Sequence, residues 1–87
     1  HNSASLDGMI PAGAESWNGA LSQDISITFT EEGVYVYQCT PHAMMAMVGV
    51  IQVGEAINLD TVKAEASQKK SIFVSNTDRL DEYLSRL

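Results

Sequence analysis

One stretch constrains this chain more than any other: Gly33-Val34-Tyr35-Val36-Tyr37-Gln38-Cys39-Thr40-Pro41-His42-Ala43-Met44-Met45-Ala46-Met47, followed by Val48-Gly49-Val50-Ile51-Gln52-Val53. Two β-branched and aromatic runs flank a short loop that carries the only cysteine, one of two histidines and three methionines. Such runs favour a pleated, half-buried surface. The spacing predicts an antiparallel strand pair, Val34 to Gln38 and Val48 to Val53, joined through the loop, with its soft donors gathered at one pole. Gly33 is free to take the positive φ of the turn after Glu31-Glu32. Pro41 fixes its own φ and offers no N–H, which stiffens the loop between Cys39 and His42.

A thiolate, two imidazoles and a weak axial thioether form the donor set of a blue, electron-transferring copper. Cys39, His42 and Met47 follow the spacing Cys-x2-His-x4-Met, so the loop supplies three donors, and the second imidazole falls to His1, the only other histidine. Each position admits an alternative. A lone cysteine is often a small buried hydrophobe, a zinc site usually wants four strong ligands, and a protease Cys–His pair comes from separated elements. His1 reads as a solvated or cloning-derived residue in one alternative. In another it is a true terminus whose amino group joins the imidazole in an oxygen-activating copper site. Met44 and Met45 read either as packing residues or as an apolar patch at the edge of His42.

Charge is unevenly placed. Seven acids and no Lys or Arg lie in residues 1–62, all five basic residues follow from Lys63, and the net charge is −6. This argues against nucleic acid, which needs a basic surface. No apolar run reaches membrane-span length, and one cysteine excludes an internal disulfide. The 87 residues make one domain, of a size whose stability is marginal unless a metal or other staple adds to it.

Along the chain, Gly8, Pro11, Gly13 and Gly19 mark residues 1–23 as mostly loop. Met9 and Ile10 are apolar exceptions, and Trp17 is a candidate for a satellite cluster. Alternation of Ile25, Ile27 and Phe29 predicts a strand over residues 24–30. Asn58 is the expected N-cap of a helix from Leu59 to about Ala66, ended by Ser67 to Lys70. Ser71 to Val74 reads as a short strand or an apolar turn. Asn76 or Thr77 is the expected cap of a last helix with Leu80, Tyr83, Leu84 and Leu87 on one face.

With His1-Asn2, Gly8-Met9-Ile10-Pro11, Gly13-Ala14-Glu15, Gly33-Val34-Tyr35, Cys39-Thr40-Pro41-His42 and Met47-Val48-Gly49-Val50 in view, the chain resembles the small cupredoxins, and among them the pseudoazurins. The resemblance covers residues 1–65 well and the rest loosely. It implies an all-β, cupredoxin-like Greek-key sandwich, here incomplete and C-terminal, with two C-terminal helices. The expected organisation is one partial domain, with a copper-binding β region over 1–54 and a helical extension over 55–87. It also implies His1, Cys39, His42 and Met47 as ligands of one Cu(I)/Cu(II) ion, with Asn2, Thr40 and Pro41 supporting them and the Asn2 amide donating to the Cys39 sulfur.

The resemblance further implies a non-enzymatic electron carrier of the bacterial periplasm. Its partners would be redox proteins such as nitrite reductase or cytochromes, with neither nucleic acid nor membrane. A copper carrier or a metal-free fragment are the other functional classes. The departures are several strands expected ahead of His1, an Ala43-Met44-Met45-Ala46 segment where the family often has Tyr-Gly-Met-Gly, and no lysine near the loop. Three strands and two helices do not close two sheets. The expectation is therefore either a fragment of a cupredoxin or one half of an assembly with a missing N-terminal half or a second copy, rather than a free folded monomer.

Overall fold

The computed structural model describes residues 1–87. Three antiparallel strands, β1 (Ala4–Ser5), β2 (Gly33–Gln38) and β3 (Val48–Val53), lie in that order in one sheet. β2 and β3 pair in unbroken register from Gly33↔Val53 to Gln38↔Val48, as the two apolar runs predict. Tyr37 stands opposite Gly49 in that register. Its ring occupies the space where a side chain at position 49 would begin. Glycine at 49 therefore allows the aromatic ring to lie flat across the neighbouring strand.

The outer side of β2 meets a less regular partner. β1 pairs only with Tyr37 and Gln38. Beyond it, Leu6 N–H donates to the Val36 carbonyl (3.0 Å) and Val36 N–H donates to the Met9 carbonyl (2.9 Å). One step further, the Asn58 side chain receives the Val34 N–H (2.7 Å) and donates its own amide to the Val34 carbonyl (2.9 Å). Buried backbone groups require partners, and here a side-chain amide acts as the missing strand neighbour.

The helices are α1 (Leu59–Lys69) and α2 (Arg79–Leu84), with a 3₁₀ turn at Lys70–Ile72 between them. Val62 and Ala66 of α1, and Leu80 and Leu84 of α2, are buried against Val34, Val36, Leu6 and Met9. The alternation along β2 sends Tyr35 and Tyr37 to the opposite face. There Trp17, Phe29 and Tyr35 cluster, with ring centroids 4.6 Å apart for Phe29–Tyr35 and 6.3 Å for Trp17–Tyr35. This is the satellite cluster expected around Trp17.

Several local expectations are corrected. Residues 24–30 are extended in pattern but pair with nothing, and no backbone hydrogen bond engages them. The alternation is present, with Ile27 and Phe29 half-buried between exposed neighbours, yet a strand needs a second strand. Ser67 to Lys70 does not end α1, which continues to Lys69. One serine among good helix formers is a weak stop, and Lys69 in the last turn suits the helix dipole.

Residues 71–74 form no strand; Ser71 and Ile72 belong to the 3₁₀ turn and Phe73 is buried directly after it, which is the apolar turn of the two alternatives. Asp78, rather than Asn76 or Thr77, occupies the cap position of α2, whereas Asn58 holds the cap position of α1 as expected but makes no capping side-chain bond, its Oδ1 accepting the Val34 N–H instead. On α2, Leu80 and Leu84 are buried, whereas Leu87 beyond its end is 40% exposed. The loop expected over residues 1–23 contains β1 and an isolated bridge between Ala4 and Asn18.

Candidate metal centre

The ligand loop is built where β2 ends. Thr40–Met45 winds into a 3₁₀ turn with Pro41 in its first positions, where a residue without an N–H leaves no donor stranded. His42 N–H returns to the Cys39 carbonyl (3.0 Å) and Cys39 N–H donates to the Met47 carbonyl (2.9 Å). The loop is thereby closed at its neck, with Cys39 and Met47 on its two sides. Ala46, fully buried, takes a left-handed conformation (φ 54°, ψ 41°) that turns the chain into β3. This is uncommon for a residue bearing a Cβ.

His1 reaches the loop from the segment that precedes β1. Its Nδ1 lies 3.6 Å from Cys39 Sγ, and His42 Nδ1 lies 3.4 Å from the same sulfur. The two imidazole rings are 4.7 Å apart. The three donor atoms fall within 4.8 Å of one another. Sulfur and nitrogen donors at ordinary bond lengths from one ion, at about 110–120° to each other, stand roughly 3.5–3.7 Å apart. The spacing of Sγ from each nitrogen therefore fits a single small metal ion, and the soft donor set selects copper over hard cations.

Cys39 is buried, His42 half-buried and His1 exposed. Asn2 ties the two sources of donors together. Its backbone N–H points at Cys39 Sγ (3.4 Å). Its side chain accepts the Thr40 N–H (2.7 Å) and donates to Thr40 Oγ1 (3.3 Å) and the Gly19 carbonyl (3.0 Å). Thr40 is bonded to Asn2 through both its backbone and its hydroxyl, and Pro41 stands exposed in the first turn of the loop. All the residues singled out from the sequence lie on this one loop or on the His1–Asn2 segment that meets it.

Sequence reasoning missed the residues that hold the far side of the loop. The Met44 carbonyl accepts from Val74 N–H (2.6 Å) and Ser75 N–H (3.3 Å). The Met45 carbonyl accepts from Asn76 Nδ2 (3.2 Å) and the Ala46 carbonyl from Arg79 Nη1 (3.3 Å). No spacing rule connects residues 74–79 to residues 44–46.

Residues 1–54 match the model of the copper-binding proteins of the plastocyanin/azurin family. The chain belongs to this family. It is 36% identical over its whole length to a pseudoazurin of Paracoccus pantotrophus, of which it covers 57%, and 37% identical over 79% of its length to one of Methylorubrum extorquens, of which it covers 47%. The chain spans about half the length of these curated relatives. Among solved structures, a pseudoazurin from Methylobacterium extorquens AM1 superposes with a TM-score of 0.81 at 32% identity, over 99% of this chain and 67% of that one. A pseudoazurin from Sinorhizobium meliloti gives 0.70 at 43% identity, over 83% and 62% of the two chains. The fold is accordingly a partial cupredoxin, and copper is the metal its family binds.

Proposed function

We propose that this chain is an electron carrier built on one type 1 copper, in the manner of a pseudoazurin. The observation that carries the reading is the convergence of His1, Cys39 and His42 on a volume the size of one metal ion, with the Asn2 N–H aimed at the sulfur. Copper supplies the one-electron couple when bound. Cys39 provides the thiolate, His1 and His42 the nitrogens, and Met47 the thioether. Asn2 and Thr40 hold the two ligand segments in register, and the Asn2 amide withdraws charge from the sulfur, a contact of the kind that tunes a metal. Residues 1–54 carry every donor, while residues 55–87 cover the sheet.

The pseudoazurins to which the chain is similar are electron-transfer carriers, which supports a carrier rather than an enzyme. Membership of a family that includes periplasmic pseudoazurins supports that compartment, and no helix here is long and apolar enough to cross a membrane. The redox partners in this reading are proteins such as nitrite reductase or cytochromes, met in brief complexes that bury less than about 1,200 Å². Met44 and Met45, 60% and 51% exposed beside His42, suit such a contact. The unpaired segment 24–30 suits assembly with the remaining strands of a pseudoazurin-length polypeptide or with a second copy.

The test is a Cu(II) titration followed by visible absorption and electron paramagnetic resonance. An intense thiolate charge-transfer band saturating at one copper per chain is expected. A pale spectrum without thiolate character would overturn the reading.

A further inference from the structure

Three consecutive carbonyls of the ligand loop, those of Met44, Met45 and Ala46, are each taken by a donor from the segment Val74–Arg79. These are the carbonyls that a helical turn leaves without partners at its C-terminal end. The last of them belongs to the peptide that leads directly into Met47. Ala46 is held there in a left-handed conformation, which persists only where surrounding contacts enforce it. Asn76 is itself left-handed (φ 54°), a conformation asparagine tolerates better than most residues, and this backbone turn carries its amide to the Met45 carbonyl. Arg79 is half-buried and forms no ion pair, unlike Lys70, which pairs with Asp78 and Asp81, and Arg86, which faces Glu82. Its guanidinium is the cation bonded to a loop that lies within the stretch, residues 1–62, that has no Lys or Arg of its own.

We propose that Asn76 and Arg79 are positioning residues for the copper site: they clamp the Met45–Met47 backbone and so set the placement of the thioether, and the Arg79 charge favours the reduced metal. The inference rests on the electron-carrier reading. A fixed cation repels Cu(II) more than Cu(I), and a shift of the axial donor alters both the potential and the thiolate spectrum.

The experiment compares the wild-type chain with Asn76→Gly, which keeps the left-handed backbone but deletes the amide. It also uses Arg79→Gln and Arg79→Lys, which preserve helix propensity. In the copper-loaded proteins, Asn76→Gly is expected to change the intensity ratio of the thiolate bands and the rhombicity of the resonance spectrum. Arg79→Gln is expected to lower the reduction potential, and Arg79→Lys to retain most of the wild-type value. In the metal-free proteins, the Ala46 and Met47 amides are expected to exchange about three- to tenfold faster in Asn76→Gly and Arg79→Gln, the fold-change of one ordinary hydrogen bond, while Val36 is unchanged.

Wild-type spectra, potentials and exchange rates in all three variants would overturn the proposal. A potential equally lowered in Arg79→Lys and Arg79→Gln would overturn the charge effect. A wild-type chain that never turns blue overturns the electron-carrier reading instead, and amide exchange then decides the clamp alone.

Discussion

Removing the His1 imidazole leaves Cys39 Sγ with one imidazole nitrogen beside it, His42 Nδ1 at 3.4 Å. His1→Ala is therefore expected to abolish the blue band at one copper per chain, and an unchanged spectrum would remove His1 from the ligand set. Asn2→Ala deletes three side-chain hydrogen bonds, two to Thr40 and one to Gly19. It keeps the backbone N–H on the sulfur. The expected outcome is a loss of about 1 kcal/mol in stability, read by denaturant titration, with the thiolate band shifted rather than lost. The gathering of His1, Cys39 and His42 was legible from their chemistry, since a lone thiol and the chain's two imidazoles have few other uses in common. The carbonyl partners of Met44 to Ala46 were not, because any polar side chain can donate to any carbonyl that folding brings near.

At the scale of elements, the connection between Asn58 and β2 decides how α1 sits on the sheet. Val34 is fully buried, and Asn58→Ala would strand both its N–H and its carbonyl. A destabilisation of roughly 2–4 kcal/mol is expected, measurable as a lowered denaturant midpoint. A drop below half of that would mean that water or a neighbouring side chain takes over. Lys70, at the junction of α1 and α2, is paired with Asp78 (2.9 Å) and Asp81 (3.0 Å). Hydrogen bonds to Asp78 and Asp81, together with their charges, raise its pKa above 10.5. A raised folded-state value means that its contribution is whole below 10.5 and disappears as pH climbs through the higher folded value. Melting curves from pH 9 to 12 should show Lys70→Met losing its deficit relative to wild type at the alkaline end, and a constant deficit would count against the ion pair. Strands β2 and β3 were readable from their alternation and length. The run over residues 24–30 was equally readable and yet stands unpaired, because periodicity records which face is apolar and says nothing about whether a neighbour is present.

For the whole molecule, one face of the sheet is covered by α1 and α2 while the other carries Trp17, Phe29 and Tyr35 beside an open cleft of about 450 Å³. A chain so incompletely layered is expected to gain stability from a bound metal. Binding copper at about 100 times its dissociation constant adds roughly 2.7 kcal/mol, which for a domain this small raises the melting temperature by about 10–20 °C. Chelation should reverse that rise, and identical melting with and without copper would show that the site forms only in a larger assembly. The loop chemistry, the two long strands and both helices rest on local sequence, where a residue's neighbours along the chain constrain it. The unpaired state of residues 24–30, the service of Asn58 to Val34 and the grip of Asn76 and Arg79 on the ligand loop rest on contacts, made or missing, between segments distant in the chain. Hydrogen-bond donors and acceptors carry no address, so their pairing is set only once the hydrophobic faces have packed and brought particular groups within reach.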